Sequence, residues 1–126
     1  MTIKEFKYQY ALGTLSKNDL IRVAKKSTSK YILTTLSNNE DRDVRKWVAL
    51  NSKAPKNALI KLSKDGNYNI RRWVADNPNA PIEALITLSE DDYWYIRKRV
   101  SQNPNTPTKI VSQFEDEANA AFDTVG

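Results

Sequence analysis

Apolar residues recur with helical spacing along most of the chain. In three stretches they occupy positions i, i+3 and i+4, which places them on one face of a helix. The members are Val44, Trp47 and Val48, then Ile70, Trp73 and Val74, then Ile96 and Val100. Each stretch stops at an asparagine, and a proline four residues later precedes a second apolar group. These second groups are Ala58/Leu59/Leu62, Ala84/Leu85/Leu88 and Ile110/Val111/Phe114. The pattern predicts pairs of short helices.

The helix pairs repeat every 26 residues. A fixed period of this kind is typical of stacked repeat proteins, in which each repeat contacts only its neighbours. We therefore predict an all-α fold of about four two-helix repeats in a single domain, residues 1–126, with a capping helix at each end. Its parts are an N-terminal capping helix (1–13), a degenerate repeat (14–35), three regular repeats (36–61, 62–87 and 88–113) and an acidic C-terminal cap or tail (114–126).

Capping residues predict the ends of the N-terminal helices. Thr2 with Glu5, and Ser16 with Asp19, form the Ser/Thr-x-x-acid spacing of a capping box. Gly13 is expected to end the first helix in the left-handed conformation.

In the regular repeats, other residues recur where helices are expected to begin and end. Asn39, Asp65 and Asp91 are expected to cap the first helix of each repeat. Asn51, Asn77 and Asn103 are expected to end it in the left-handed conformation, and their amides can bond loop backbone between repeats. Pro55, Pro81 and Pro107 are expected at the first position of the second helix.

Composition argues against most enzyme classes. The chain lacks His and Cys, which removes the commonest general base, the commonest zinc ligands and any Cys-His or Ser-His nucleophile. The acidic pairs match no metal-ligand spacing, so we expect no metal, no cofactor and no small-molecule substrate. No apolar run approaches the roughly 18 residues of a membrane span. Without a secretory signal, an intracellular, cytoplasmic location is expected.

Charge is unevenly distributed along the chain. The formal net charge is +5, yet residues 115–126 contain four acids and no Lys or Arg. Those acids are Glu115, Asp116, Glu117 and Asp123. Residues 1–114 therefore carry +9, and the predicted repeats favour an anionic partner.

The repeated residues resemble a known family. Leu-Ser-x-Asp, followed by Ile-Arg-x-x-Val-Ala-x-Asn-Pro-x-x-Pro-x-x-x-Leu, is similar to the variant leucine-rich repeat, a relative in style of HEAT-like solenoids. The matching residues of one repeat are Leu62, Asp65, Ile70, Arg71, Val74, Ala75, Asn77, Pro78, Pro81 and Leu85. The likeness covers residues 36–114 well and 14–35 loosely, and Ser52 and Ser101 depart from it. The composition, rich in Lys, Asn, Ile and Ser, is similar to that of small phage repeat proteins.

The family resemblance implies a right-handed α-solenoid but no single function. HEAT-like repeats use an Asp–Arg ladder to join neighbours, which implies the same role for Arg45, Arg71 and Arg97. Each of these follows Asn39, Asp65 or Asp91 by six residues.

A second column of cations lies one residue further on and has no acid at a matching spacing. It comprises Lys46, Arg72 and Lys98, and aromatic residues lie beside it in the sequence. The expected partner-binding residues are Arg42, Lys46, Tyr68, Arg72, Trp94, Lys98 and Arg99. The alternative is a solvated face whose aromatics pack on the neighbouring repeat. Trp47 and Trp73 are expected in the core. Tyr93, Trp94 and Tyr95 are consecutive, so at least one should be exposed.

These patterns predict a non-catalytic repeat module, an adaptor or inhibitor that engages an acidic protein surface through a basic and aromatic stripe. The alternative is sequence-independent binding of a DNA or RNA backbone by the same residues. A more remote alternative is a HEAT-like DNA glycosylase, which would need a carboxylate and aromatic residues that meet on one face.

Overall fold

The computed structural model describes residues 1–125, and the side chains of residues 1–121. In this part of the chain, nine α-helices are joined by short turns and loops, and there is no strand. The helices are α1 (Ile3–Leu12), α2 (Lys17–Lys26), α3 (Lys30–Leu36), α4 (Arg42–Leu50), α5 (Lys56–Leu62), α6 (Tyr68–Asp76), α7 (Ile82–Ser89), α8 (Trp94–Gln102) and α9 (Thr108–Val125). The all-α prediction is confirmed. No helix of the described residues combines the length and the apolar character that a membrane crossing requires.

The helices form two layers. In one, α2, α4, α6 and α8 pack side by side in chain order. In the other, α3, α5, α7 and α9 do the same, and α1 packs against α3. The core lies between the layers, where Val44, Ile70 and Ile96 occupy equivalent positions and are fully buried. Leu36, Leu62 and Leu88 face them from the second layer.

The N-terminal caps form as predicted. Thr2 with Glu5, and Ser16 with Asp19, make reciprocal capping boxes. Gly13 ends α1 with φ of +70°, the left-handed conformation that glycine adopts without a steric penalty.

Two predictions about the starts of the later helices are wrong. Asn39, Asp65 and Asp91 do not cap helices, because each accepts the N–H of the residue two positions on, at 2.9, 2.9 and 3.1 Å. The N-caps are Asp41, Asn67 and Tyr93. Pro55 and Pro81 are themselves N-cap residues, so their helices begin one residue later.

The asparagines that end α4, α6 and α8 are not left-handed. Asn51, Asn77 and Asn103 have φ of −77°, −70° and −75°. This extended conformation lets each buried side chain reach the preceding 26-residue segment. The Asn77 amide donates to the carbonyls of Ala49 and Asn51 at 2.8 and 3.3 Å. Asn51 and Asn103 make the corresponding bonds to Ala24 and Ala75, each at 2.8 Å.

Charged side chains form a second set of links between segments. Arg45 donates to Asp65, and Arg71 to Asp91, both at 2.8 Å. Each arginine also donates to a backbone carbonyl six residues earlier, that of Asn39 or Asp65. The side chain of Asn39, at the position equivalent to Asp65 and Asp91, donates to the Tyr10 hydroxyl at 2.9 Å.

The C-terminal end differs from the predicted boundary at residue 114. Helix α9 runs without a break from Thr108 to Val125, so the second helix of segment 88–113 and the predicted cap are one helix. Glu117 accepts from Arg97 at 2.7 Å, 26 residues after Asp91, and so takes the place of the next ladder acid. Glu117 was expected only in an acidic tail, and the side chain of Asp123 lies outside the described residues.

Truncation of Leu85 tests the packing. Leu85 is fully buried, whereas its neighbour Ile86 is 46% exposed. We expect Leu85→Ala to lower the free energy of unfolding by about 2–5 kcal/mol, because it leaves a cavity in the core. Ile86→Ala should change it by less than about 1 kcal/mol. Urea denaturation followed by circular dichroism measures both, and equal losses would contradict the described core.

Asn77→Ala tests the asparagine links. It leaves two carbonyls at a buried helix end without their donor, so we expect a loss of about 1–3 kcal/mol in the free energy of unfolding. Asn79→Ala is the matched control, because the Asn79 amide donates to Ser52 in an exposed position. The same denaturation experiment should rank Asn77→Ala clearly above it, and the reverse order would disprove the structural role.

Candidate binding surface

A row of alternating cations and indoles runs across α2, α4 and α6. In order it contains Lys25, Trp47, Lys46, Trp73 and Arg72, and we call it the basic–aromatic row. Lys25 Nζ lies 4.1 Å from the centre of the Trp47 ring. Lys46 Nζ lies 5.2 Å from Trp47 and 4.9 Å from Trp73. The Arg72 guanidinium carbon lies 5.3 Å from Trp73.

Local sequence and lateral packing together build this row. Trp47 and Trp73 each lie three residues after a core residue, so they stand at the edge of the apolar face. Both were expected in the core, and both are half-buried and pack against its edge. Because α2, α4 and α6 lie side by side, each indole meets a cation of the preceding helix as well as the one beside it in the sequence.

Charge in the row is not neutralised by the described part of the chain. Lys25, Lys46 and Arg72 pair with no carboxylate there. The Arg72 Nε is buried and has no hydrogen-bond partner. A cation over an indole is attracted by the ring but gains no counter-charge from it, so the charge of the row is not offset by the described residues.

Sequence reasoning missed Lys25. It lies in the degenerate segment 14–35, which does not align with the 26-residue period. Lys25 and Lys26 are the basic residues of the last turn of α2, which by itself indicates only a helix-dipole contact. The packing of α2 against α4 places Lys25 over Trp47.

The other predicted contacts lie outside the row. Arg99 takes the position 26 residues after Trp73 and donates to Asp76 at 2.6 Å, a bond that raises the pKa of Arg99. Its charge is therefore largely matched. Lys98 lies 5.4 Å from the Trp94 ring, and Trp94 packs on Phe114 with ring centres 5.8 Å apart.

Tyr68 belongs to the charged-ladder side of the molecule. Its ring meets that of Tyr93 edge-on at 4.8 Å, and the Arg71 guanidinium lies 5.8 Å from Tyr93. Tyr93, Trp94 and Tyr95 are 54%, 46% and 41% exposed. The prediction that at least one of these three is exposed is confirmed.

Arg42 lies near the row but contacts none of its rings. It is the exposed first residue of α4 and lines a cavity that Lys46 and Trp73 also border. Asp43 shares this cavity and accepts from Lys17 at 2.8 Å. This hydrogen bond is the main reason that the pKa of Asp43 is lowered.

The surface holds cations and aromatic rings but few groups for other chemistry. Within the described residues, no cluster of three or more His, Cys, Asp or Glu could hold a metal ion. The arrangement can attract an anionic surface and contact it through fixed cations.

Comparison with known proteins found nothing similar: no family model, no curated protein and no solved structure matches the chain.

A double-mutant cycle tests the row itself. Combining Lys25→Ala with Trp47→Leu should reveal a coupling of about 0.5–1 kcal/mol in the free energy of unfolding, the usual range for an exposed cation over an indole. The matched control is a second cycle that combines Trp47→Leu with Lys26→Ala at the exposed neighbouring lysine. The coupling between Lys26 and Trp47 should be near zero. Equal couplings for the two lysines would rule out the described contact.

Proposed function

We propose that this chain is a right-handed α-solenoid of about four short two-helix repeats, and that it acts as a non-catalytic binding module. Support for the repeat comes from bonds that recur at 26-residue intervals. Asn77 and Asn103 donate to carbonyls 28 and 26 residues earlier, and each ladder arginine pairs with an acid 20 residues later. The partner is an acidic protein surface, and the module serves as an adaptor or an inhibitor.

The observation that carries this proposal is the basic–aromatic row. Three cations are held over two indoles, and none has a carboxylate partner in the described residues. Ordering a free lysine on binding costs side-chain entropy. The indoles restrict these side chains beforehand, so less entropy is lost when an anionic partner docks.

Charge distribution directs the partner to the N-terminal part of the surface. Residues 1–64 contain 14 Lys and Arg but 5 Asp and Glu, whereas residues 65–126 contain 6 and 10. The N-terminal half therefore carries +9 and the C-terminal half −4. An acidic surface is steered towards α2 and α4, where the row begins.

The indole contacts favour a protein over a nucleic acid. Proteins that bind single strands use open aromatic faces on which bases stack. In the row, each indole already has two cations within 5.3 Å of its centre. Binding to a phosphate backbone needs no stacking and stays the alternative.

A catalytic role gains no support from the acid that lies nearest the row. Asp43 borders a cavity together with Trp73, the pairing of carboxylate and aromatic ring that a glycosylase would need. Lys17 lowers the pKa of Asp43, and a weaker proton acceptor is a poorer general base near neutral pH. We therefore propose binding without catalysis.

Binding of a labelled poly-L-glutamate probe tests the proposal. Fluorescence anisotropy over a salt series should show saturable binding that weakens as salt increases. Changing Lys25, Lys46 and Arg72 together to Glu should weaken binding by about 100-fold, at about 1 kcal/mol for each exposed pair. Changing all three to Gln gives a second variant that removes the charges but keeps long polar side chains, for use if the reversal reduces helicity.

The control reverses three exposed lysines outside the row, Lys4, Lys64 and Lys109, and changes the net charge equally. It should lose far less affinity than the row variant. Similar losses in both variants, or no binding of poly-L-glutamate at low salt, would refute the proposed surface. Tighter binding of duplex DNA or RNA than of poly-L-glutamate, with the same dependence on the row, would instead establish the nucleic-acid alternative.

A further inference from the structure

A cavity of about 310 Å³ lies between α4 and the start of α6, beside the basic–aromatic row. Arg42 and Lys46 line it from α4, and Asn69 and Trp73 line it from α6. The Arg42 guanidinium forms no hydrogen bond or ion pair with a described residue. Lys46 lies against the two indoles and forms no ion pair with a described residue. Asp43, in the same lining, attracts both cations, although neither forms a hydrogen bond or an ion pair with it.

The one acid in the lining is already paired. Asp43 Oδ2 lies 2.8 Å from Lys17 Nζ, and Lys17 stands outside the lining. Asp41 reaches the same ammonium group at 3.3 Å. Lys17 is shared by Asp41 and Asp43, so the three cations Lys17, Arg42 and Lys46 exceed these two acids by one positive charge.

Side chains supply the free donors. The Asn69 amide has no hydrogen bond to a described residue, and Arg42 offers a planar fork that suits two oxygens at once. The backbone N–H groups of Asn69 and Ile70 are occupied by Asn67 Oδ1, at 2.9 and 3.2 Å. An anion here is thus held by the side chains of Arg42, Lys46 and Asn69. It does not need the backbone N–H groups at the start of α6.

The next helix pair lacks this chemistry. Positions 26 residues after Arg42, Asn69 and Trp73 hold Tyr68, Tyr95 and Arg99. Tyr68 packs on Tyr93, and Arg99 pairs with Asp76. Cations recur along the row, so the row alone would let an acidic partner bind in several positions. The cavity between α4 and α6 has no counterpart between α6 and α8.

We propose that this cavity is an oxyanion subsite that receives one carboxylate or phosphate group of the partner and fixes the register of that partner on the row. The statement that the ligand belongs to a macromolecular partner rests on the proposed function. The affinity of the cavity for a small oxyanion does not depend on that function.

Two small anions, acetate and inorganic phosphate, probe the subsite separately. Each is titrated into the full chain at constant ionic strength, with chloride as the balancing ion, and followed by ¹H–¹⁵N NMR. We expect saturable shifts of the Trp73 indole N–H and the Asn69 side-chain amide, with a dissociation constant on the order of millimolar. Preference for acetate identifies an acidic side chain as the natural ligand, and preference for phosphate identifies a phosphorylated group.

Arg42→Gln should weaken this binding about tenfold, because it removes a charge-assisted pair of donors. Arg42 is exposed, so the variant should keep its helicity. Lys53→Gln removes the same charge elsewhere and should leave the shifts unchanged. Absence of saturation with both anions, or equal weakening by the two variants, would overturn the subsite.

The outcome is independent of the row experiment. Saturable shifts, together with poly-L-glutamate binding that the row variant does not weaken, would refute the proposed function and support the subsite. Row-dependent binding without saturable shifts would refute the subsite alone. If both hold, Arg42→Gln should also weaken poly-L-glutamate binding more than Lys53→Gln does.

Discussion

The structure depends on hydrogen bonds between segments that complete the ends of short helices. The last carbonyls of a helix have no partner within it. At the end of α4, the carbonyls of Ala49 and Asn51 accept from Asn77, which belongs to the next segment. Helices of seven to ten residues, such as α1 to α8, are marginal in water on their own. Each segment is therefore completed by its neighbour.

The charged ladder has a consequence for the surface. Three ion pairs join neighbouring segments: Arg45–Asp65, Arg71–Asp91 and Arg97–Glu117. The three acids in these pairs are therefore already occupied. The cations of the basic–aromatic row pair with none of these three acids. The same lateral packing sets the spacing of that row, because each indole meets a cation from the adjacent helix. The same packing of helices therefore brings together both the charged links and the basic–aromatic row.

Departures from the repeat locate the features of most functional interest. Arg99 replaces a tryptophan and finds Asp76, which ends the run of unpaired cations. Arg42 replaces a tyrosine and borders a cavity that its counterpart Tyr68 could not provide, since Tyr68 packs on Tyr93. At both positions, the change of residue between segments changes which side chains meet there.

The sequence by itself determined the helices, their apolar faces and the first caps. Apolar spacing selects one face of a helix, and the Thr2 and Ser16 capping boxes involve residues three apart, so neighbours in the chain suffice. Only the tertiary structure decided what Asn77, Glu117 and Lys25 do. Their partners lie 20 to 28 residues away in the chain, and contact at that distance depends on how the helices pack side by side. The cavity beside Arg42 has the same origin, since it exists only between two packed helices.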